Sequence, residues 1–174
     1  EIHERLVGSE MCIRDSPYIM EKAIDAGVHI ILNPSPMDQQ VLDCPVKQVD
    51  YIILNEIEAA EICGLVGKIK DEQLAGKLAE SFPHTKVILT LGEKGALYLE
   101  KGNIIRQESF HVPVVDTTAA GDTFTGYFFD SILSGMKPET ALQRAAKAAA
   151  IAVTKKGAAP SIPEALEVDG FFSE

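Results

Sequence analysis

Asp116-Thr117-Thr118-Ala119-Ala120-Gly121-Asp122-Thr123-Phe124-Thr125-Gly126 is a run of small residues set between two hydrophobic patterns. Ahead of it, Ser109 to Val115 reads as a β-strand; behind it, Phe124 to Leu133 repeats apolar residues at a helical period. A strand passing through small residues into a helix start lets backbone N–H groups converge on an anion. The helix dipole adds roughly half a positive charge there. Asp122 stands at the mouth of this cradle, where it would repel a phosphate unless it has chemistry to do. Two readings stay open on spacing alone. In one, the amides of Ala119 to Asp122 hold a phosphoryl group while Asp122 takes a proton from the attacking hydroxyl. In the other, Asp122 caps its helix and the glycine permits a turn. No G-x-x-x-x-G-K-[ST] sequence occurs, so this is not a P-loop.

Upstream, Val28–Leu32, Tyr51–Leu54 and Lys86–Thr90 are short, continuous apolar runs, as expected of strands buried on both faces. Helical patterns alternate with them: Pro17–Ala26, Asp38–Leu42, Asn55–Cys63 and Glu72–Ser81. A hairpin is expected from Ala96–Glu100 and Ile104–Gln107 around Lys101-Gly102-Asn103. Helices follow at Gly121–Ser134 and Pro138–Val153, then a loop at Gly157–Pro163 and a last helix at Glu164–Phe172. Alternating strands and helices with short connections predict an α/β fold, a three-layer α/β/α sandwich around a mostly parallel sheet. In such sheets ligands bind beyond the carboxyl ends of the strands. Asn33-Pro34, Asn55-x-x-Glu58, Thr90-x-Gly92 and Asp116–Asp122 each follow a strand, which points to one site.

Each cluster also has a plainer reading. Asn55 and Glu58 share a helix face and could organise water around Mg²⁺, or they could form a capping box. Thr90-Leu91-Gly92-Glu93-Lys94-Gly95 could lie along nucleotide phosphates and ribose, or be an ordinary turn into a hairpin. Lys155 to Ser161 offers carbonyls and a hydroxyl to a cation or a nucleotide edge, or is a loop with a proline. His29, His84 and His111 are scattered singly, without the spaced partners of a zinc site.

The 174 residues, 46% hydrophobic and 24% charged, suit one ordinary globular domain. A net charge of −10 argues against nucleic acid or an anionic membrane surface as the partner. Cys12, Cys44 and Cys63 form no C-x-x-C pair and read as free thiols of a reducing, cytoplasmic setting. No apolar run approaches the ~20 residues needed to span a bilayer. Residues 1–16 fit none of the patterns that follow. Leu6 to Ser16 reads like a translated sequencing-adapter sequence, so 1–16 is set aside as non-native or disordered and 17–174 taken as the domain. The alternative is a native N-terminal helix, frayed at its end.

Taken together, these residues resemble the C-terminal part of the ribokinase-like (PfkB-type) carbohydrate kinases. The signature D-T-x-x-A/G-G-D-x-F stands at Asp116–Phe124, N-x-x-E at Asn55–Glu58 and T-x-G at Thr90–Gly92. Asn33–Pro36 and Ala149–Pro163 match further family segments, and the resemblance covers roughly residues 17–172. It implies ATP-dependent phosphorylation of a sugar hydroxymethyl group, D-ribose to ribose 5-phosphate, with Mg²⁺ and K⁺ as cofactors. It further implies a cytoplasmic homodimer at full length, with no nucleic-acid or membrane partner. By the same resemblance Asp122 is the base that meets substrate, and Ala119, Ala120 and Gly121 are the anion hole. Asn55, Thr90, Leu91, Gly92, Glu93, Lys94, Gly95, Gly121, Asp122 and Ala146 would meet the nucleotide. Asp116, Thr118, Ala152, Lys155, Gly157 and Ser161 would hold the monovalent cation, and Glu58 would reach Mg²⁺ through water. Ala146 departs from the Asn or His common there. The family's G-G-x-x-x-N motif, sugar-binding aspartate and lid strands have no counterpart, so the chain itself is expected to be inactive. A kinase for fructose, a nucleoside or a hydroxymethyl heterocycle, and a non-catalytic nucleotide-binding module, are the alternatives.

Overall fold

The computed structural model describes residues 6–9, 16–35, 37 and 39–171. Among them are six strands: β1 (Leu6–Ser9), β2 (His29–Leu32), β3 (Tyr51–Asn55), β4 (Lys86–Thr90), β5 (Ala96–Glu100) and β6 (Asn103–Gln107). They form one sheet in that order, with β1 to β4 parallel. Lys101 and Gly102, both at positive φ (49° and 80°), join β5 to β6 as a two-residue hairpin turn. Helices α1 (Ser16–Asp25), α2 (Gln39–Leu42), α3 (Glu56–Ile62) and α4 (Asp71–Ser81) alternate with β1 to β4. Helices α5 (Ala120–Leu133), α6 (Pro138–Val153) and α7 (Ala165–Asp169) follow the hairpin. The fold is α/β with a mostly parallel sheet, as the alternation predicts.

Contacts divide the chain into two compact units, residues up to Thr90 with Leu97–Ile104, and Leu91–Ala96 with Ile105 onward. In the first, Ile52, Ile53 and Leu54 are 0, 4 and 1% exposed. Successive strand residues face opposite ways, so burial of all three means both faces of β3 are covered. The Asp50 carboxylate receives the Ile30 N–H at 2.8 Å and His29 Nδ1 at 2.7 Å, tying the start of β2 to that of β3. The buried Thr85 hydroxyl donates to the Val49 carbonyl at 3.0 Å. The register pairs Asn55 with Thr90, so the polar ends of β3 and β4 are cross-strand neighbours.

In the second unit α5 packs on α6. Phe124 and Phe128 stack at 6.3 Å, and Phe128 meets Phe129 edge-on at 5.1 Å. Phe128 is fully buried, a burial worth roughly 1.5–3 kcal/mol. Small side chains bring the helices close: Ala141, Ala145 and Ala148 of α6 are each 0% exposed. Arg144 of α6 donates to Asp130 of α5 at 2.7 Å and to Asp169 of α7 at 3.3 Å, over the Tyr127 ring.

Three expectations change. Ser109–Val115 forms no strand. Pro113 has no N–H for a ladder, Val114 and Val115 are exposed, and Val115 and Asp116 donate instead to the Val153 carbonyl at the end of α6. The last helix is shorter, Ala165–Asp169, and Phe172 lies outside the described residues. Of the segment set aside, Leu6–Ser9 pairs in parallel with β2 as an edge strand rather than a helix. Residues 1–5 and 10–15, Cys12 among them, lie outside the described residues.

Candidate functional site

Helix α5 begins without a side-chain cap. Its N-cap is Ala119, held in the left-handed region at φ 64°, ψ 7°, and no side chain caps the first-turn N–H groups. A non-glycine residue there costs roughly 1–3 kcal/mol and persists where surrounding structure enforces it. The first intrahelical bond runs from the Thr123 N–H to the Ala119 carbonyl at 2.8 Å. The Ala120 N–H is taken at 3.2 Å by the Thr117 carbonyl. Helix geometry gives Gly121 and Asp122, in the same first turn, no acceptor within the helix. These are the donors α5 presents at its open end, where the dipole favours an anion. Asp122 is exposed, and among the described residues its carboxylate has no hydrogen-bond or ion-pair partner. It therefore does not cap α5.

Asp116 behaves in the opposite way. One carboxylate oxygen accepts the Gly157 N–H at 3.0 Å and the other the Thr118 N–H at 2.9 Å. The Gly157 N–H, followed by the Thr118 groups, lowers its pKa to about 2. Asp116 thereby fastens the turn before α5 to the loop after α6. In that loop the Ala152 carbonyl accepts the Lys155 N–H at 3.1 Å, and Ser161, fully buried, donates to the Ala158 carbonyl at 2.7 Å. The Lys155 ammonium turns to Glu167 at 2.8 Å. The six residues expected at a monovalent cation thus lie in two segments that Asp116 joins directly. Among the described residues no group of three or more His, Cys, Asp or Glu is placed to hold a metal. The donor set fits an ion held by carbonyl and hydroxyl oxygens.

At the carboxyl end of β3 the capping box is complete. Asn55 Oδ1 accepts the N–H groups of Ile57 and Glu58, both at 2.9 Å, and Glu58 Oε2 accepts the Asn55 N–H at 2.9 Å. Glu58 is 6% exposed. The box engages the one side-chain oxygen of Asn55 and leaves Glu58 Oε1 outside it. Beside it, Thr90 Oγ1 donates to the Leu54 carbonyl at 3.3 Å.

Beyond Thr90, Gly92–Lys94 forms a 3₁₀ turn. Leu91 N–H donates to the Gly95 carbonyl at 2.8 Å, Lys94 N–H to Leu91 and Gly95 N–H to Gly92, both at 3.1 Å. Gly92, Glu93 and Lys94 are exposed. Ala146 is buried on α6 at 8% exposure and offers only a methyl group.

A cavity of about 380 Å³ runs from Asp122 along α5 past Gly126 and Asp130 towards Arg144, Ile162 and Glu164. Thr123 lines it as well, and among the described residues its buried Oγ1 has no hydrogen-bond partner. The structure thus brings together Asn55, Glu58 and Thr90 in the first unit. In the second it brings together Asp116, Thr118 and Gly157. Ser109 and Arg144 were not foreseen, because their partners are distant in sequence and neither sits in a motif.

Residues 19–165 match the pfkB family carbohydrate kinase profile. The chain is 42% identical over 150 residues to a ribokinase of Haemophilus influenzae, covering 84% of this chain and 48% of that protein. It is 40% identical over 152 residues to a ribokinase of Schizosaccharomyces pombe, with the same coverage. Among solved structures, Arabidopsis thaliana ribokinase complexed with ribose and ATP superposes with a TM-score of 0.81 at 31% identity. That match covers 97% of this chain and 55% of the other. The chain spans about half the length of the curated relatives it matches.

Proposed function

This chain belongs to the pfkB family of carbohydrate kinases, and we propose that it carries the nucleotide-binding part and the catalytic base of a ribokinase-type enzyme. The reaction is transfer of the ATP γ-phosphoryl group to a sugar hydroxymethyl, with D-ribose as acceptor and ribose 5-phosphate as product. One observation carries the reading: the uncapped start of α5, with an unpartnered carboxylate beside donors that the helix leaves open. The Arabidopsis relative complexed with ribose and ATP supports this choice of substrates.

In this mechanism Asp122 accepts the proton of the acceptor hydroxyl as its oxygen attacks the γ-phosphorus. A carboxylate with no competing partner is free to do so, and such a base contributes about 10²–10⁴-fold. The N–H groups of Gly121 and Asp122, with Ala119 and Ala120 setting their direction, stabilise charge on the transferring group. Asn55, Thr90, the turn Gly92–Gly95 and Ala146 are read as nucleotide contacts. Mg²⁺, reached through water from Glu58, would neutralise phosphate charge. K⁺ fits the carbonyls and hydroxyls of Asp116, Thr118, Ala152, Lys155, Gly157 and Ser161, and would steady the cradle without touching substrate. The complete enzyme is read as a cytoplasmic homodimer.

The test is acceptor-dependent ADP release by the full-length protein with ribose, fructose and nucleosides. Ribose preference supports the reading, and turnover only with another acceptor replaces ribose in it. ATP binding without turnover on any acceptor would sink the kinase assignment. The 174-residue chain is expected to show little ribose-dependent ATP turnover, since acceptor positioning supplies much of the rate.

A further inference from the structure

The exposed turn Gly92–Gly95 is held from outside by the segment that follows β6. Ser109 Oγ donates to the Glu93 carbonyl. On the other side, a Cβ on Gly95 would collide with the Gln107 carbonyl and come within 2.8 Å of Glu108 backbone atoms. Gly95 has φ 96°, ψ −136°, a conformation open to glycine and strained for other residues. The turn's own hydrogen bonds use the carbonyls of Leu91, Gly92 and Gly95, which leaves the Glu93 carbonyl for Ser109. They use neither the Gly92 nor the Glu93 N–H.

We propose that Ser109 is a positioning residue for nucleotide binding: its hydroxyl holds the Glu93 carbonyl, and so the Glu93–Lys94 peptide, next to the Glu93 N–H that the turn leaves open. This rests on the reading of Thr90–Gly95 as the nucleotide loop. The segment that follows Ser109 is anchored twice. Phe110 packs edge-on against Phe171 at 5.9 Å, and Val115 bonds the Val153 carbonyl at 2.7 Å. Ser109 therefore holds the turn from a fixed point. Nucleotide meets a loop already ordered, which lowers the entropy lost on binding.

The test uses the chain as it stands, with ATP affinity by calorimetry and hydrogen exchange at the Lys94 and Gly95 amides. Ser109→Ala should weaken ATP binding roughly three- to tenfold, the effect of one hydrogen bond, and speed exchange at both amides. Ser109→Thr keeps the hydroxyl and should restore both. Thr85→Ala removes a buried hydrogen bond remote from the loop and should lower the melting temperature without changing ATP affinity. Unchanged affinity in Ser109→Ala, or an equal loss in Thr85→Ala, overturns the role of Ser109 alone. No ATP binding by the unsubstituted chain overturns the nucleotide-loop reading and this proposal with it.

Discussion

Helices α3 and α5 both begin with an acid in the first turn, and the two starts are built in opposite ways. At α3, Asn55 and Glu58 satisfy each other's backbone groups and close the end. At α5, the N-cap is a strained alanine without a capping side chain, and Asp122 is left free. A closed start stabilises its helix and has little left to offer a ligand. An open start gives up the roughly 1 kcal/mol of a cap and keeps its donors and dipole for an anion. The same contrast separates Asp116 from Asp122 within one motif. Asp116 is bonded twice and holds loops together, whereas the Asp122 carboxylate has no partner among the described residues.

The contrast breaks most severely at Asp122. Asp122→Asn should lower kcat for sugar phosphorylation by about 10²–10⁴-fold, with ATP affinity retained by calorimetry. Retained kcat would show that the open end of α5 holds no base. Asn55→Ala should destabilise the chain by about 1 kcal/mol in urea unfolding, whereas Asp122→Ala should leave stability within about 0.5 kcal/mol. Equal losses would erase the distinction between the two starts. Ala119→Gly relieves the left-handed strain and should raise stability by a few tenths to about 1 kcal/mol. A loss there would mean that the alanine methyl is needed for packing.

The smallest effect is confined to acid. Asp116 has a folded pKa of about 2 against an ordinary value of 3.8. Its contribution is therefore fully present above the ordinary value and is lost as pH falls through about 2. Asp116→Asn should flatten the pH dependence of unfolding in that window, and an unaltered acid limb would show that the Gly157 bond is not formed.

Much of this was legible in the sequence because it depends on local patterns. Apolar runs marked β2, β3 and β4 to within a residue, and Pro138–Val153 was found at its observed bounds. The Asn55–Glu58 capping box was readable because both partners lie within one turn. Ser109–Val115 was misread for the complementary reason: its alternation suits a strand, but its hydrogen bonds go to the distant Val153. Ser109 itself left no signal, since a serine after a hairpin is ordinary until its carbonyl partner at Glu93 is known.

The sequence by itself determined most of the elements, the parallel pairing of β2 to β4 and the polar clusters that follow those three strands. Periodicity and turn chemistry act over a few residues and are written in the chain. Tertiary structure alone decided which carboxylate is committed and which is free. Asp116 is fixed by a glycine 41 residues away, and Asp122 is left open because no described residue folds onto it. In isolation both are aspartates of one short motif, and only long-range contacts give them different chemistry.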